Sequence, residues 1–179
     1  MFRAYAEIFD IEKFGKDTLN NPNDYYIQRR YSWDEDSVKE FLNSAFIECS
    51  KTCSLVAGVD IVINKLKELN HNLVVISARG KDSEEMISVI EDKFKTHNIN
   101  FNKIYWKIED KLEICKKENI DIMIDDRPET CLTLSQNKIH AFYFRGNDRP
   151  ILEDNEYLTT VTNWGEIYKK IILMNQNKN

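Results

Sequence analysis

The sequence predicts an α/β fold, a parallel sheet with helices on both faces, behind a largely helical N-terminal third. Three observations predict it. Short continuous apolar runs, such as Leu73-Val74-Val75-Ile76 and Ala141-Phe142-Tyr143-Phe144, have the character of strands buried on both faces. Segments with apolar residues at helical spacing alternate with those runs, the rhythm of βαβ units. The composition, 42% hydrophobic and 31% charged with only 5 Gly and 3 Pro in 179 residues, fits one globular core of ordinary size and excludes disordered or collagen-like chains.

The elements follow in order. Phe2, Tyr5, Ala6 and Phe9 recur at helical spacing, so the first dozen residues read as a helix. Asn20-Asn21-Pro22-Asn23-Asp24 is loop chemistry. Ser32-Trp33-Asp34-Glu35 is a capping-box pattern, with Val38, Phe41, Leu42, Ala45 and Phe46 following on one helical face. A further helix carries Val59, Val62, Ile63, Leu66 and Leu69. The alternation then begins: a strand at Leu73–Ile76, a helix through Met86, Ile87, Ile90 and Phe94, and a short strand at Ile104–Trp106. Next come a helix over Leu112–Lys117, a strand over Ile120–Ile124 and a helix through Leu132 and Leu134. Ala141–Phe144 reads as the last strand, and Trp164–Leu173 as the closing helix. We therefore divide the chain into a helical segment, residues 1–56, and an α/β core, residues 57–179.

Charge and hydropathy narrow the functional classes. With 25 Lys+Arg against 30 Asp+Glu the net charge is −5, so no basic field for a nucleic-acid polymer is expected. The apolar runs are far too short to span a bilayer, and Met1-Phe2-Arg3-Ala4-Tyr5-Ala6-Glu7 lacks a secretory pattern. A cytoplasmic protein without a membrane partner is expected. Cys49, Cys53, Cys115 and Cys131 are expected to be reduced thiols, because no His or second close Cys pair completes a zinc set.

In a parallel α/β layer, ligands sit beyond the carboxyl ends of the strands. Three groups of residues stand there. Ser77-Ala78-Arg79 closes the first run, and its hydroxyl suits either a helix cap or an anionic oxygen. Asp110-Lys111 opens a helix, where a lysine is commonly solvated. Asp125-Asp126-Arg127-Pro128 leaves a buried strand, and adjacent carboxylates near a core call for a cation such as Mg²⁺ or for hydrogen-bond donors. Hydroxyl, ammonium and carboxylates in that order are equipment for holding a phosphoryl group. A receiver-like protein with an acidic Mg²⁺ site would need its acidic pair early in the chain, and Asp125-Asp126 comes late. Tyr25, Tyr26, Tyr31 and Trp33 could stack a base, but their spacing fits a core.

These segments resemble the haloacid-dehalogenase-like (HAD) hydrolases. Leu73-Val-Val-Ile-Ser77-Ala-Arg79 is similar to their motif II, Lys111 is placed like the motif III lysine, and Ile122-Met-Ile-Asp125-Asp126-Arg-Pro-Glu129 resembles motif IV. The whole is similar to the branch of the 5′(3′)-deoxyribonucleotidases (cytosolic type C) and bacterial nucleotidases, with Tyr5–Ser54 in place of their helical cap. The ending Val161-Thr-Asn-Trp164-Gly-Glu-Ile167 adds to that likeness. The resemblance implies a HAD-like Rossmannoid core and Mg²⁺-dependent hydrolysis of a phosphate monoester such as a nucleoside 5′-monophosphate. It implies that Ser77 bonds the phosphoryl group, Lys111 neutralises charge, Asp125 ligates Mg²⁺, and Asp126 supports the metal's water or Lys111. Arg79 and Arg127 would contact substrate.

The same family carries motif I, an apolar strand ending in Asp-x-Asp, whose first carboxylate is the nucleophile. The sequence has no such motif. Phe9-Asp10-Ile11-Glu12 is the nearest imitation, but Arg3 and Glu7 fit a helix better than a central strand. The resemblance therefore implies a sheet without its first central strand, leaving either a gap or direct pairing between the strands ending at Ser77 and Asp125. A downstream start and a degenerate, non-hydrolytic relative that only binds phosphate both fit that pattern.

Overall fold

The computed structural model describes residues 2–80, 84–146 and 149–176. They form two compact units, Met1–Ser54 with Asp148–Pro150, and Leu55–Asn147 with Ile151–Asn179.

The first unit is helical. Helix α1 (Phe2–Phe14) buries Ala6 against Tyr31 and Phe41, with Phe9 and Trp33 packed at the margin. Aromatic edges hold this small core: Phe9 meets Trp33 at 4.9 Å and Phe41 at 5.5 Å between ring centroids, and Tyr31 stacks on Trp33 at 4.6 Å. Helix α2 (Glu35–Phe41) runs through a π-helical turn (Leu42–Phe46) into α3 (Ile47–Thr52). Its cap is Asp34, which accepts from Ser37 N at 2.8 Å, and not the Ser32 of the expected capping box. Ser32 is committed elsewhere: its hydroxyl accepts from Asn20 Nδ2 at 2.8 Å and its N–H donates to Thr18 O.

Asp10, the nearest imitation of a nucleophile, lies on α1 and not at the end of a strand. It lies 1% exposed inside the unit. Its carboxylate accepts from Thr18 N at 2.8 Å, Thr18 Oγ1 at 2.5 Å and Trp33 Nε1 at 2.7 Å. Three neutral donors tie α1 to the following loop and to the aromatic cluster.

The second unit is the α/β layer. Helix α4 (Val59–Glu68) leads to β1 (Val74–Ile76), α5 (Glu84–Thr96) and β2 (Lys103–Tyr105). Then come α6 (Lys111–Lys117), β3 (Ile122–Asp125), α7 (Pro128–Gln136), β4 (His140–Phe144), β5 (Leu158–Val161) and α8 (Trp164–Gln176). Pairing is parallel throughout, but in two sheets, β1-β2 and β3-β4-β5. Among the described residues, β1 is not paired with β3. Strand β5 was not expected, and Ala141–Phe144 is therefore not the last strand. Its Leu158 and Val161 are buried but separated by two threonines, so neither an apolar run nor an alternation marks it. No helix among the described residues is long and apolar enough to cross a membrane.

Helices cover both faces. Cys115 of α6 with Cys131 and Leu134 of α7 close one face over Met123, Ala141 and Tyr143. Val62 and Leu66 of α4 with Ile167 and Ile171 of α8 close the other over Phe142 and Val161. Burial of these side chains, about 1.5–3 kcal/mol for each large one, is the main stabilising term.

The buried carboxylate of the helical unit yields a test. Burial by itself would raise the Asp10 pKa, but the bonds from Thr18 and Trp33 outweigh it and hold the carboxyl below its ordinary value. A depressed folded pKa contributes stability above the unfolded value of about 3.9, and that contribution is lost as pH falls through the folded value. Asp10→Asn, which points an amide at a donor, is expected to cost roughly 1–3 kcal/mol at neutral pH. Hydrogen exchange of α1 and α2 in both proteins, at neutral and strongly acid pH, measures it; the difference should shrink in acid.

Candidate functional site

The site is built at the ends of β3 and α6. Strand β3 carries Asp125 as its last residue, 6% exposed, because alternation turns it to the same side as Met123. The following Pro128 holds Arg127 extended (φ −93°, ψ 116°) and starts α7 at its first turn. In that bend Asp125 Oδ1 accepts from Arg127 N at 2.8 Å. Its other oxygen, Oδ2, accepts from Lys111 Nζ at 2.5 Å. Lys111 is the first residue of α6, and Asp110 just before it caps the helix by accepting from Leu112 N at 3.0 Å. The two side chains are 18% and 3% exposed, so this is a sheltered ion pair and not a surface contact.

Helix α6 is anchored at its other end as well. Glu118, its C-cap, accepts from Lys103 Nζ at 2.6 Å and from Tyr105 OH at 2.5 Å, both on β2. Those bonds hold the Glu118 carboxyl below its usual range. One short helix thus reaches from β2 at its C-cap to β3 at its N-terminus. Glu118 was missed in the sequence, since nothing in a lone Glu after Lys116-Lys117 separates a clamp from a solvated side chain.

The remaining expected residues are placed as follows. Ser77 extends the β1 ladder, donating its N–H to Tyr105 O at 2.9 Å, and its carbonyl accepts from Ile108 N at 2.9 Å. Its hydroxyl accepts from Arg79 N at 3.2 Å, the bond of a local turn. Arg79 is exposed, and its carbonyl accepts from Lys107 N at 3.1 Å. The Ser77–Arg79 bend therefore anchors the loop that delivers Lys111. Gly80, at φ +88°, completes the bend; a Cβ there would meet Ile87 at 2.5 Å. Asp126 is exposed, and Arg127 forms an ion pair with Glu129 at 3.5 Å.

A shallow cavity of about 160 Å³ opens where α6 and α7 begin. Lys111 and Arg127 line it together with Glu109, Asp110, Glu129 and Thr130, so its charge is mixed. It is lined from the α6 and α7 segments and does not include Ser77 or Arg79. The structure joins Lys111, Asp125 and Arg127 directly, and ties Ser77 to them through the backbone of the intervening loop.

Among the described residues, no three His, Cys, Asp or Glu groups come together as a metal cage. Mg²⁺ asks for less, one or two protein carboxylates with water and phosphate oxygens completing the shell. Asp125 and the adjoining Asp126 meet that minimum, with one lone pair on each Asp125 oxygen already engaged.

Two buried thiols, Cys115 and Cys131, lie beneath the site. Burial pushes Cys115 up to about 11, against the opposing effect of Lys111. Burial also raises Cys131, with Asp125 and Asp126 adding to it, and Cys131 Sγ lies 3.5 Å from Asp125 O. All four cysteines are unbridged. Iodoacetamide at neutral pH is expected to label the half-buried Cys53 well ahead of Cys115 and Cys131, which should react only on denaturation. Peptide mapping of the alkylated protein checks this order.

No protein-family model matches the sequence. No curated protein matches it either.

Proposed function

We propose that this chain is a HAD-like protein of the nucleotidase type, in which Ser77, Lys111 and Asp125 form a site for a phosphate monoester such as a nucleoside 5′-monophosphate. The observation that carries the reading is the Lys111–Asp125 pair. A lysine opening one helix is brought onto the last carboxylate of a buried strand, the two groups the resemblance assigns to phosphate and metal. The parallel layer with helices on both faces supports it, as does the local turn that places the Ser77 hydroxyl at a strand end.

In this reading Lys111 supplies the positive charge that neutralises an incoming phosphate. Ser77 turns its hydroxyl from the Arg79 amide to a phosphate oxygen. Arg79, exposed at the same bend, and Arg127 are the candidate contacts for the rest of the substrate. Asp125, with Asp126 beside it, would hold Mg²⁺, which when bound offsets phosphate charge. Asp126 would orient the metal's water.

Hydrolysis through a covalent intermediate needs a carboxylate nucleophile at a strand end. The sequence holds no apolar run ending in Asp-x-Asp, and Asp10 is spent on Thr18 and Trp33. We therefore expect the 179-residue chain to bind phosphate esters weakly and to turn them over negligibly, a phosphate-binding protein as it stands.

Calorimetric titration with adenosine 5′-monophosphate in Mg²⁺, alongside a phosphate-release assay, tests both parts. Binding without release is expected, with affinity falling at least tenfold in Lys111→Met and Arg79→Ala. Arg79 is exposed, so its variant leaves the fold intact. Absence of any binding overturns the site. Robust Mg²⁺-dependent release overturns the missing nucleophile, and loss of that release in Asp10→Asn would name Asp10 instead.

A further inference from the structure

The cavity at the start of α6 and α7 is mixed in charge and small, and each property restricts what can fill it. Three carboxylates line it, those of Glu109, Asp110 and Glu129, against the two cations Lys111 and Arg127. Lys111 is already balanced by Asp125, and Arg127 lies 3.5 Å from Glu129. A phosphate drawn to the two cations therefore enters a rim in which acid is in excess before it arrives. Charge patterns of one sign reject a ligand of that sign and select one whose charges complement them. A positive charge carried by the ligand itself removes the conflict.

Size sets the second limit. The hollow measures about 160 Å³. That is roughly the space of five water molecules, and it lies below the ~300 Å³ at which pockets for drug-sized ligands begin. A ribose with its base extends past such a hollow, whereas a chain of two or three carbons fills it. Part of the lining is apolar and suits methylene groups: Leu134 is 0% exposed, and Leu112 packs on the same core cluster.

We propose that this hollow takes the alcohol part of a short aminoalkyl phosphate, a zwitterion with phosphate at one end and an ammonium group at the other. The inference rests on the phosphate site proposed above and narrows its ester class. Phosphate would be met by Lys111 and Arg127, the methylenes would lie on Leu112 and Leu134, and the ammonium would be met by Glu129. Glu129 is suited to that exchange. Its side chain is 62% exposed and that of Arg127 38%, and so open an ion pair holds its partners weakly. When Arg127 turns to a phosphate oxygen, the ligand's ammonium takes its place on Glu129, and both charges stay balanced. Asp110 is less free to serve, because its carboxylate caps α6 by accepting from Leu112 N at 3.0 Å.

The experiment is calorimetric titration of the whole chain in Mg²⁺ with 2-aminoethyl phosphate and with ethyl phosphate, which differs from it by the amino group alone. The aminoethyl ester should bind at least tenfold more tightly. In Glu129→Gln, a substitution at an exposed position that keeps the side chain's shape, the ratio should fall below threefold. Equal affinity of the two esters for the wild type would overturn the proposal. So would a preference that persists undiminished in Glu129→Gln, since attraction of the ammonium to the protein's overall negative charge would then explain it. Failure of the phosphate site itself looks different: neither ester binds, and both readings fall together.

Discussion

Asp125 is a carboxylate almost wholly removed from water at the end of β3, and the Lys111 ammonium makes that position tenable. An isolated buried charge costs several kcal/mol, and the cost is offset only when a partner of opposite charge and further hydrogen bonds reach it. The Arg127 amide supplies the further bond. Because Lys111 opens α6 and Glu118 closes it on Lys103 and Tyr105, the pair also fastens β3 to β2 through a helix. Where β1 and β3 share no ladder, α6 and the two side-chain cores do the joining.

The two buried aspartates show how one chain uses the same group in two ways. Asp10 is held by three uncharged donors from its own unit and is 1% exposed, so it is closed to a ligand. Asp125 is balanced by one ammonium and one amide, and Lys111 and Arg127, which supply them, line a cavity open to water. A phosphate or a cation arriving there exchanges partners with groups already in place and need not break a closed network. Paired carboxylate and lysine at a strand end are in this sense a preorganised charge site, whichever ester is bound.

Most of the architecture was legible because each element announces itself locally. Leu73–Ile76 and Ala141–Phe144 are apolar runs, so the expected strands fall within two residues of their bounds, while α8 runs three residues past Leu173 and the helix expected through Phe46 continues to Thr52. Leu158-Thr-Thr-Val161 was not legible, since its burial is decided by pairing with β4 and not by its own pattern. The Asp34 cap was misplaced by two residues because Ser32 is drawn into a bond with Asn20, a contact across twelve residues. At the site, Lys111 and Asp125 could be named from order along the chain, but their pairing depends on how α6 crosses the layer. The Glu118 clamp that fixes this crossing has no signature of its own.

Lys111 and Asp125 form one charge unit that braces the layer, and a double-mutant cycle tests this most directly. Urea unfolding of the wild type, Lys111→Met, Asp125→Asn and the double variant gives the coupling free energy. Removing Lys111 alone should leave a buried, unbalanced carboxylate and cost roughly 3–5 kcal/mol. The double variant should recover a large part of that loss, with a coupling of at least about 1 kcal/mol. Additive losses, with no recovery in the double variant, would contradict the account.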